Sequence, residues 1–357
     1  MKKIVFYISG FGYGHLTRSI ALIQELFRQQ PDISITVKCH SQHMLWAKSL
    51  AGQFPSLMVQ PFDIGFQLVS NAKTGKVDFT ATLRNVNSWL DRLEEAAARE
   101  LAAVKKCDYS LVLSDIVPEA FFVGAELGIP AVGISNFTWY ELCREYVGAN
   151  RVAPLKTMYQ KATVFFEYPL STGEEIPISN RRTVGLVSRF QDQHKALEIR
   201  KKYKRPGRLL LFLSIGGALN MKNLSLPQEF DYVYTRGIDL AAAGNAALIP
   251  DDTLDTQNYL AACDGVITKC GWSTVSEALI AEKPIYLLAS QFEWLEEKYM
   301  LKELAGLGIS RVITPAERDF IRKDLFQDIE SLHCGYMHLP ERYHNQIREI
   351  AAMVLQY

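Results

Sequence analysis

Residues 4–27 read IVFYISGFGYGHLTRSIALIQELF, and this stretch decides the architecture. Ile4–Ser9 is a β-rich run, apolar almost throughout and without solvent-facing alternation, the pattern of a strand buried on both faces. Gly10, Gly12 and Gly14 follow at alternate positions and let the backbone turn tightly or lie close to a ligand. From Leu16 the period changes. Leu16, Ile20, Ile23 and Phe27 fall at i, i+4, i+7 and i+11, which is one face of a helix. Strand, glycine turn, helix is the opening of a parallel α/β sheet.

The same alternation continues along the chain. Ile33–Lys38, Leu111–Ser114, Ala131–Ser135 and Val164–Tyr168 read as further strands, and a helix from about Trp89 to Lys105 turns Leu93, Ala97, Leu101 and Val104 inward. A second half restarts at Leu209–Leu213, followed by Gly216 and Gly217. It runs on through Tyr232–Thr235, Ala247–Ile249, Gly265–Thr268 and Ile285–Leu288. Pro340 to Gln356 predicts a capped amphipathic helix. The expected class is α/β, with two Rossmann-like parallel α/β domains facing across a cleft. The expected boundaries are 1–190 and 209–338, with an exposed linker at 191–208 and a carboxy-terminal helix at 339–357 packing back toward the first domain. Ligands in open parallel sheets bind beyond the carboxyl ends of the strands, so this organisation predicts a cleft enzyme.

Length and composition agree. At 357 residues the chain has room for two to three domains, and 48% hydrophobic with 22% charged residues is globular composition. Thirty-nine basic residues balance 39 acidic ones, which removes the long-range field of a general nucleic-acid binder. Lys195–Arg208 holds seven basic residues against Glu198 alone, a solvated helix face or a phosphate patch. The six cysteines include no C-x-x-C pair, which points to a reduced, cytoplasmic protein. Cys39, His40 and His43, and likewise His333, Cys334 and His338, lack a second ligand pair, so no metal site is expected. The apolar run after Met1-Lys2-Lys3 ends at Ser9-Gly10, too short for a signal peptide, and no stretch is long enough to span a membrane. The partners expected are a small-molecule donor and acceptor; peripheral membrane contact is compatible with the sequence, and no oligomeric state can be read from it.

The strongest local signal is residues 267–279, ITKCGWSTVSEAL. A strand ends near Thr268, Gly271 allows a turn, and a helix begins near Ser273. A helix amino terminus offers unpaired N–H groups and about half a positive charge, a ready anion site. Lys269, Ser273 and Thr274 add a full charge and two hydroxyl donors, chemistry suited to a diphosphate. Thr274 and Glu277 also fit a T-x-x-E capping box, which needs no ligand.

Taken together, the Lys-Cys-Gly-Trp-Ser-Thr run and Glu277 resemble the donor-sugar signature of GT-B glycosyltransferases. Among these, the chain is most similar to the small-molecule glucosyltransferases of plants and bacteria and to the enzyme that adds N-acetylglucosamine to the peptidoglycan lipid precursor. The resemblance implies a nucleotide-sugar donor, a UDP-sugar, with Glu277 on the ribose hydroxyls and a diphosphate contact at Lys269, where the family commonly has His. The family's Asp-Gln pair at the donor sugar falls on Glu293 and Trp294, with Gln291 just before. Retaining relatives carry a glutamate at the position of Lys269, so a lysine there implies inversion. The implied product class is hexosyl or N-acetylhexosaminyl transfer, with no cofactor and no metal.

His15 follows the glycine turn Gly10-Phe11-Gly12-Tyr13-Gly14, whose spacing is not that of a dinucleotide fingerprint. In the resembled family the matching histidine is the acceptor's general base. A similar Gly-x-Gly-His-x-x-Arg run occurs in the UDP-sugar hydrolase of pseudaminic acid synthesis and in plant arabinokinases. An imidazole acts as a base at neutral pH when a neighbour fixes its tautomer. Asp115, at the end of the buried strand Leu111–Ser114, either does so or caps the next helix. Ser214-Ile215-Gly216-Gly217 offers phosphate-binding N–H groups or only a tight turn. Arg18 and Trp139 are candidate acceptor contacts, Arg18 being equally read as helix decoration; Asn71 to Asn87 and Asn136 to Tyr140 are candidate pocket loops. Beside the transferase stand three alternatives: a hydrolase using His15 on water, a nucleotide-sugar-binding module without turnover, and an epimerase.

Overall fold

The structure is a computed structural model that describes residues 1–63, 65–66, 69, 78–173, 176–215, 221–240, 244–289, 295–314, 317 and 321–357. The chain divides into two compact units. The first holds the described residues of Met1–Val69, Val77–Gly185 and Gln346–Tyr357, and the second those of Leu186–Asn345.

The first unit is built on a seven-stranded sheet of β1 (Lys3–Ile8), β2 (Ser34–Cys39), β3 (Leu57–Pro61), β4 (Leu111–Asp115), β5 (Ala131–Ser135), β6 (Val164–Glu167) and β7 (Arg181–Thr183). Its order is β3-β2-β1-β4-β5-β6-β7 and every pairing is parallel. The helices are α1 (Gly14–Gln29), α2 (Met44–Ala51), α3 (Phe79–Val104), α4 (Pro118–Leu127), α5 (Trp139–Val147) and α6 (Ala153–Tyr159). Ile4 to Ile8 and Leu111 to Leu113 are buried on both faces, as their unbroken apolar runs require.

α3 starts ten residues earlier than the periodicity suggests. Asp78 caps it, accepting from the Ala81 N–H at 2.9 Å, and Thr82 and Val86 extend its buried stripe. Residues 79–87, expected in a loop, are therefore helical, while Asn71 lies outside the described residues. Trp139 and Tyr140 likewise open α5, whose first turn is closed by reciprocal bonds between Thr138 and Glu141. Five strands escaped the sequence reading: β3 and β7 here and Ser310–Ile313 in the second unit, all at sheet edges, and the two strands of a small separate pair, Met221–Leu224 and Ile238–Leu240.

The second unit repeats the plan. β8 (Leu210–Ser214), β10 (Asp231–Tyr234), β12 (Ala246–Leu248), β13 (Gly265–Lys269), β14 (Ile285–Leu288) and β15 (Ser310–Ile313) form a parallel six-stranded sheet, ordered β12-β10-β8-β13-β14-β15. A small parallel pair joins β9 (Met221–Leu224) to β11 (Ile238–Leu240). The helices around it include α7 (Gln193–Tyr203), α8 (Thr256–Ala262) and α9 (Trp272–Ile280). The boundary between units falls at Gly185/Leu186, and the segment read as an exposed linker is α7, packed on α8 within the second unit. Three of the segment's basic side chains are engaged there: Arg200 and Lys204 pair with Asp264 at 2.6 and 2.8 Å, and Lys195 with Asp255 at 3.3 Å.

At the chain's end only Ile347–Leu355 is α-helical, and it packs on α1. Gln346 does not cap it. Its side-chain oxygen accepts instead from the Gly185 N–H at 2.7 Å.

Both sheets reverse direction beside their first strand, between β1 and β4 and between β8 and β13. Such a switch point opens a crevice at the carboxyl ends of the strands. Parallel register sets Ile8 beside Asp115 in the first sheet and Ser214 beside Thr268 in the second.

Packing next to the first switch point depends on one glycine. A Cβ on Gly133 of β5 would lie 2.4 Å from Cδ2 of Phe165 and 2.8 Å from Cζ of Phe121, both fully buried rings. Gly133→Ala should cost about 1–3 kcal/mol through overpacking, read as a lower urea midpoint at unchanged slope.

Candidate active site

In the first unit, the backbone leaves β1 at Ile8, passes Gly12 at φ +73°, and enters α1 with Tyr13 as its amino-terminal cap residue. The Gly10 carbonyl accepts from Gln42 Nε2 at 2.6 Å, which ties the turn to the segment after β2. His15 therefore stands in the first turn of α1, and the β1–β4 register brings the end of β4 beside it.

His15 Nδ1 and Asp115 Oδ1 are 2.9 Å apart, and both residues are buried. Asp115 does not cap α4, whose cap residue is Val117. The other acceptor sites of the carboxylate are taken by Arg18 and Ser19. Arg18 Nε donates to Oδ2 at 2.8 Å, Arg18 Nη2 to Oδ1 at 2.5 Å, and Ser19 Oγ to Oδ2 at 3.1 Å. Burial alone would raise the Asp115 pKa, but Arg18 and His15 outweigh it and hold the carboxyl at about 2. For His15, burial lowers the pKa below the usual imidazole value, Asp115 opposes this, and Arg18 adds to it. The pair is thus a carboxylate and a neutral imidazole at neutral pH.

Ile116, directly after Asp115, has φ +56°. A β-branched residue there is strained, and such strain concentrates at functional positions. Tyr159 holds the turn by donating from its hydroxyl to the Ile116 carbonyl at 2.6 Å. Around the imidazole, the Phe137 ring lies 5.9 Å and the Trp139 ring 6.4 Å away, and Phe11 and Phe66 each stand 4.9 Å from Trp139. Trp139 is part of this aromatic wall. Arg18, 3% exposed, belongs to the interior rather than to a solvated helix face.

Sequence reasoning missed Ser135 and the place of His43, and read Asn136 only as part of a pocket loop. Ser135 and Asn136, at the end of β5, each bond the Arg18 guanidinium at 2.9 Å. His43, fully buried, stacks near Tyr13, and burial, reinforced by His40, lowers its pKa to about 4. Its position after β2, at the carboxyl edge of the sheet, was the available signal.

In the second unit, β13 ends at Lys269 and α9 begins at Trp272 with Gly271 as cap residue. Gly271 has no side chain with which to cap this helix, whose first internal bond runs from the Val275 N–H to the Gly271 carbonyl. The T-x-x-E capping box is therefore not formed. Thr274 lies within the helix, and Glu277 is buried one turn on, against Arg189. Gly271 has φ −106°, and a Cβ on it would meet nothing nearer than Lys269 Cε at 3.6 Å. Neither the backbone conformation nor packing among the described residues demands glycine there.

Lys269 is half-buried. Burial lowers its pKa, while Glu296 and Glu297 pull it back up. Ser273 is buried in the first turn and Thr274 is partly exposed. Glu277 Oε1 accepts from Arg189 Nη2 at 2.7 Å and Nε at 3.0 Å, and Arg189 also bonds the Leu254 carbonyl and Thr256 Oγ1. Gly216, Gly217, Gln291 and Glu293 lie outside the described residues. Among the described residues no three His, Cys, Asp or Glu are grouped to hold a metal ion, and no helix is long and apolar enough to cross a membrane.

No protein-family model matches the chain. It is 25% identical over 340 residues to the L-arabinokinase of Arabidopsis thaliana, an alignment covering 91% of this chain and 31% of that protein. The chain thus spans about a third of that relative's length. Three solved structures align over nearly the full length of both chains. The glycosyltransferase SsfS6 of Streptomyces sp. SF2575 gives a TM-score of 0.65 at 14% identity, covering 100% of each chain. UGT89C1 of Arabidopsis thaliana, complexed with UDP, gives 0.68 at 10% identity, covering 99% of this chain and 100% of that one. The glycosyltransferase SnogD of Streptomyces nogalater gives 0.63 at 15% identity, covering 100% and 99%. At such identities the likeness establishes architecture: the chain has the GT-B fold, two Rossmann-like domains of the glycosyltransferase type.

Proposed function

We propose that the protein is an inverting glycosyltransferase that moves a sugar from a nucleoside-diphosphate donor, a UDP-sugar, to an acceptor hydroxyl. The observation that carries the reading is the 2.9 Å contact between His15 Nδ1 and Asp115. With the ring proton on Nδ1 and donated to Asp115, the Nε2 lone pair takes the acceptor's proton as the new C–O bond forms. The glycosidic bond to the diphosphate breaks as the hydroxyl oxygen attacks the anomeric carbon from the opposite face. The diphosphate leaves with the bonding electrons, and its growing charge is met by Lys269, the Ser273 and Thr274 hydroxyls and the amino end of α9. Glu277 takes the ribose. The aromatic wall of Trp139, Phe11 and Phe66 takes the acceptor. No metal is required if those groups carry the charge.

Four measurements test this reading. His15→Ala should lower kcat by roughly 10²–10⁴ while UDP-sugar binding is unchanged. Free sugar released as fast without acceptor as with one would make the protein a hydrolase instead. Lys269→Ala should weaken UDP binding by about 1.5–3 kcal/mol in calorimetry; an unchanged affinity removes Lys269 from the diphosphate site. Turnover should persist in EDTA, and its loss there with rescue by Mg²⁺ rejects the metal-free mechanism.

A further inference from the structure

Arg18 lies one helical turn beyond His15 and makes more polar contacts than any acceptor contact or surface residue needs. Its Nε and Nη2 grip both oxygens of Asp115 in a fork, at 2.8 and 2.5 Å. Nη1 donates to Asn136 Oδ1 and Nη2 also donates to Ser135 Oγ, each at 2.9 Å. The guanidinium carbon sits 5.5 Å from the centre of the Tyr168 ring.

Nη2 also lies 2.7 Å from His15 Nδ1. With two hydrogens it faces three positions, Asp115 Oδ1, Ser135 Oγ and His15 Nδ1. Were Nδ1 unprotonated, its lone pair would face the carboxylate oxygen with no hydrogen between them. With Nδ1–H donating to Asp115 Oδ1, the Nη2 hydrogens go to Asp115 and Ser135, and the guanidinium cation stands in contact with the ring.

We propose that Arg18 is a positioning residue, which holds Asp115 as an oriented carboxylate and, by standing against the ring, keeps His15 an unprotonated base. The inference rests on the proposed role of His15. In an isolated imidazole–carboxylate pair, the negative charge favours the imidazolium. Here Asp115 and Arg18 together are neutral, so a second proton on His15 would set a cation against a cation at contact distance. Burial first, and Arg18 after it, lower the His15 pKa, while Asp115 opposes them. The other groups near the ring do not offset this. His43, in the segment after β2, is neutral above about 4, and Tyr168, after β6, is neutral because burial raises its pKa well above the usual phenol range. Phe137 and Trp139 carry no charge. The consequence for turnover is that a proton taken from the acceptor is held only weakly and passed on quickly.

The test is the titration of the His15 imidazole, followed by NMR of its ring protons and assigned by comparison with His15→Gln. In Arg18→Met the midpoint should move up by roughly one to three units relative to the parent, because a like charge at contact distance has been removed. The acid limb of the kcat–pH profile should move up with it, while KM for the donor stays constant. Arg18→Lys keeps the charge but loses the fork. Its midpoint should stay near the parent's while kcat falls at every pH. A folded Arg18→Met protein with an unmoved His15 midpoint overturns the proposal, and so does an Arg18→Lys protein with parental kcat. The titration needs no substrate, so absence of transferase activity in the parent would count against the proposed function while the NMR midpoint still decides the role of Arg18.

Discussion

Burying the Asp115 carboxylate is the constraint around which the first unit's site is organised. A lone carboxylate away from water costs many kcal/mol, and a protein ordinarily neutralises it by protonation. Here it stays ionised because four donor groups from one helix face converge on it: His15 Nδ1, two nitrogens of Arg18, and Ser19 Oγ. Those residues can converge only because α1 starts directly after the glycine turn and the β1–β4 register puts Asp115 opposite Ile8. Ser135 and Asn136 then complete the guanidinium's bonds from the next strand. The removal of any one partner leaves a buried charge incompletely met. The site is thus a consequence of sheet order as much as of residue identity.

That dependence explains what could be read from the chain alone. β1, β4, β5, β8, β13 and β14 are central strands, and strands buried on both faces announce themselves as unbroken apolar runs. The edge strands do not. β3 reads LMVQP with three exposed positions and β7 reads RRT, fully exposed, so neither shows an apolar run or a clean alternation. The start of α3 was hidden for a different reason: its first turns carry polar residues, and the cap on Asp78 that begins it is a local bond, not a periodicity.

The site was legible where it follows directly from position on a central strand. His15 after a glycine turn and Asp115 at a strand's end needed only the expectation that parallel sheets bind ligands at their carboxyl edges. Arg18 was visible at three residues beyond His15, on the same helix face, but a helix wheel shows which side chains share a face and not what they meet across the sheet. Its real partners are 97 to 118 residues away in the chain. The Thr274–Glu277 capping box failed for a related reason. The pattern is correct for a helix starting at residue 275, and the helix starts three residues earlier because Gly271 is its cap.

The early start of α9 changes what Glu277 is able to do. As a capping residue its carboxylate would be spent on the N–H groups that a diphosphate needs. Placed in the second turn, it is instead bound by Arg189 from the segment before α7. Both Arg189 bonds fall on Oε1, so Oε2 remains to accept from a ribose hydroxyl. Under the proposed function, a carboxylate oxygen and a helix amino terminus within one turn of each other provide for a neutral diol and an anion. Ribose and diphosphate have that pairing of chemistries, which is why the second unit suits a nucleotide even before the identity of the base or sugar is considered.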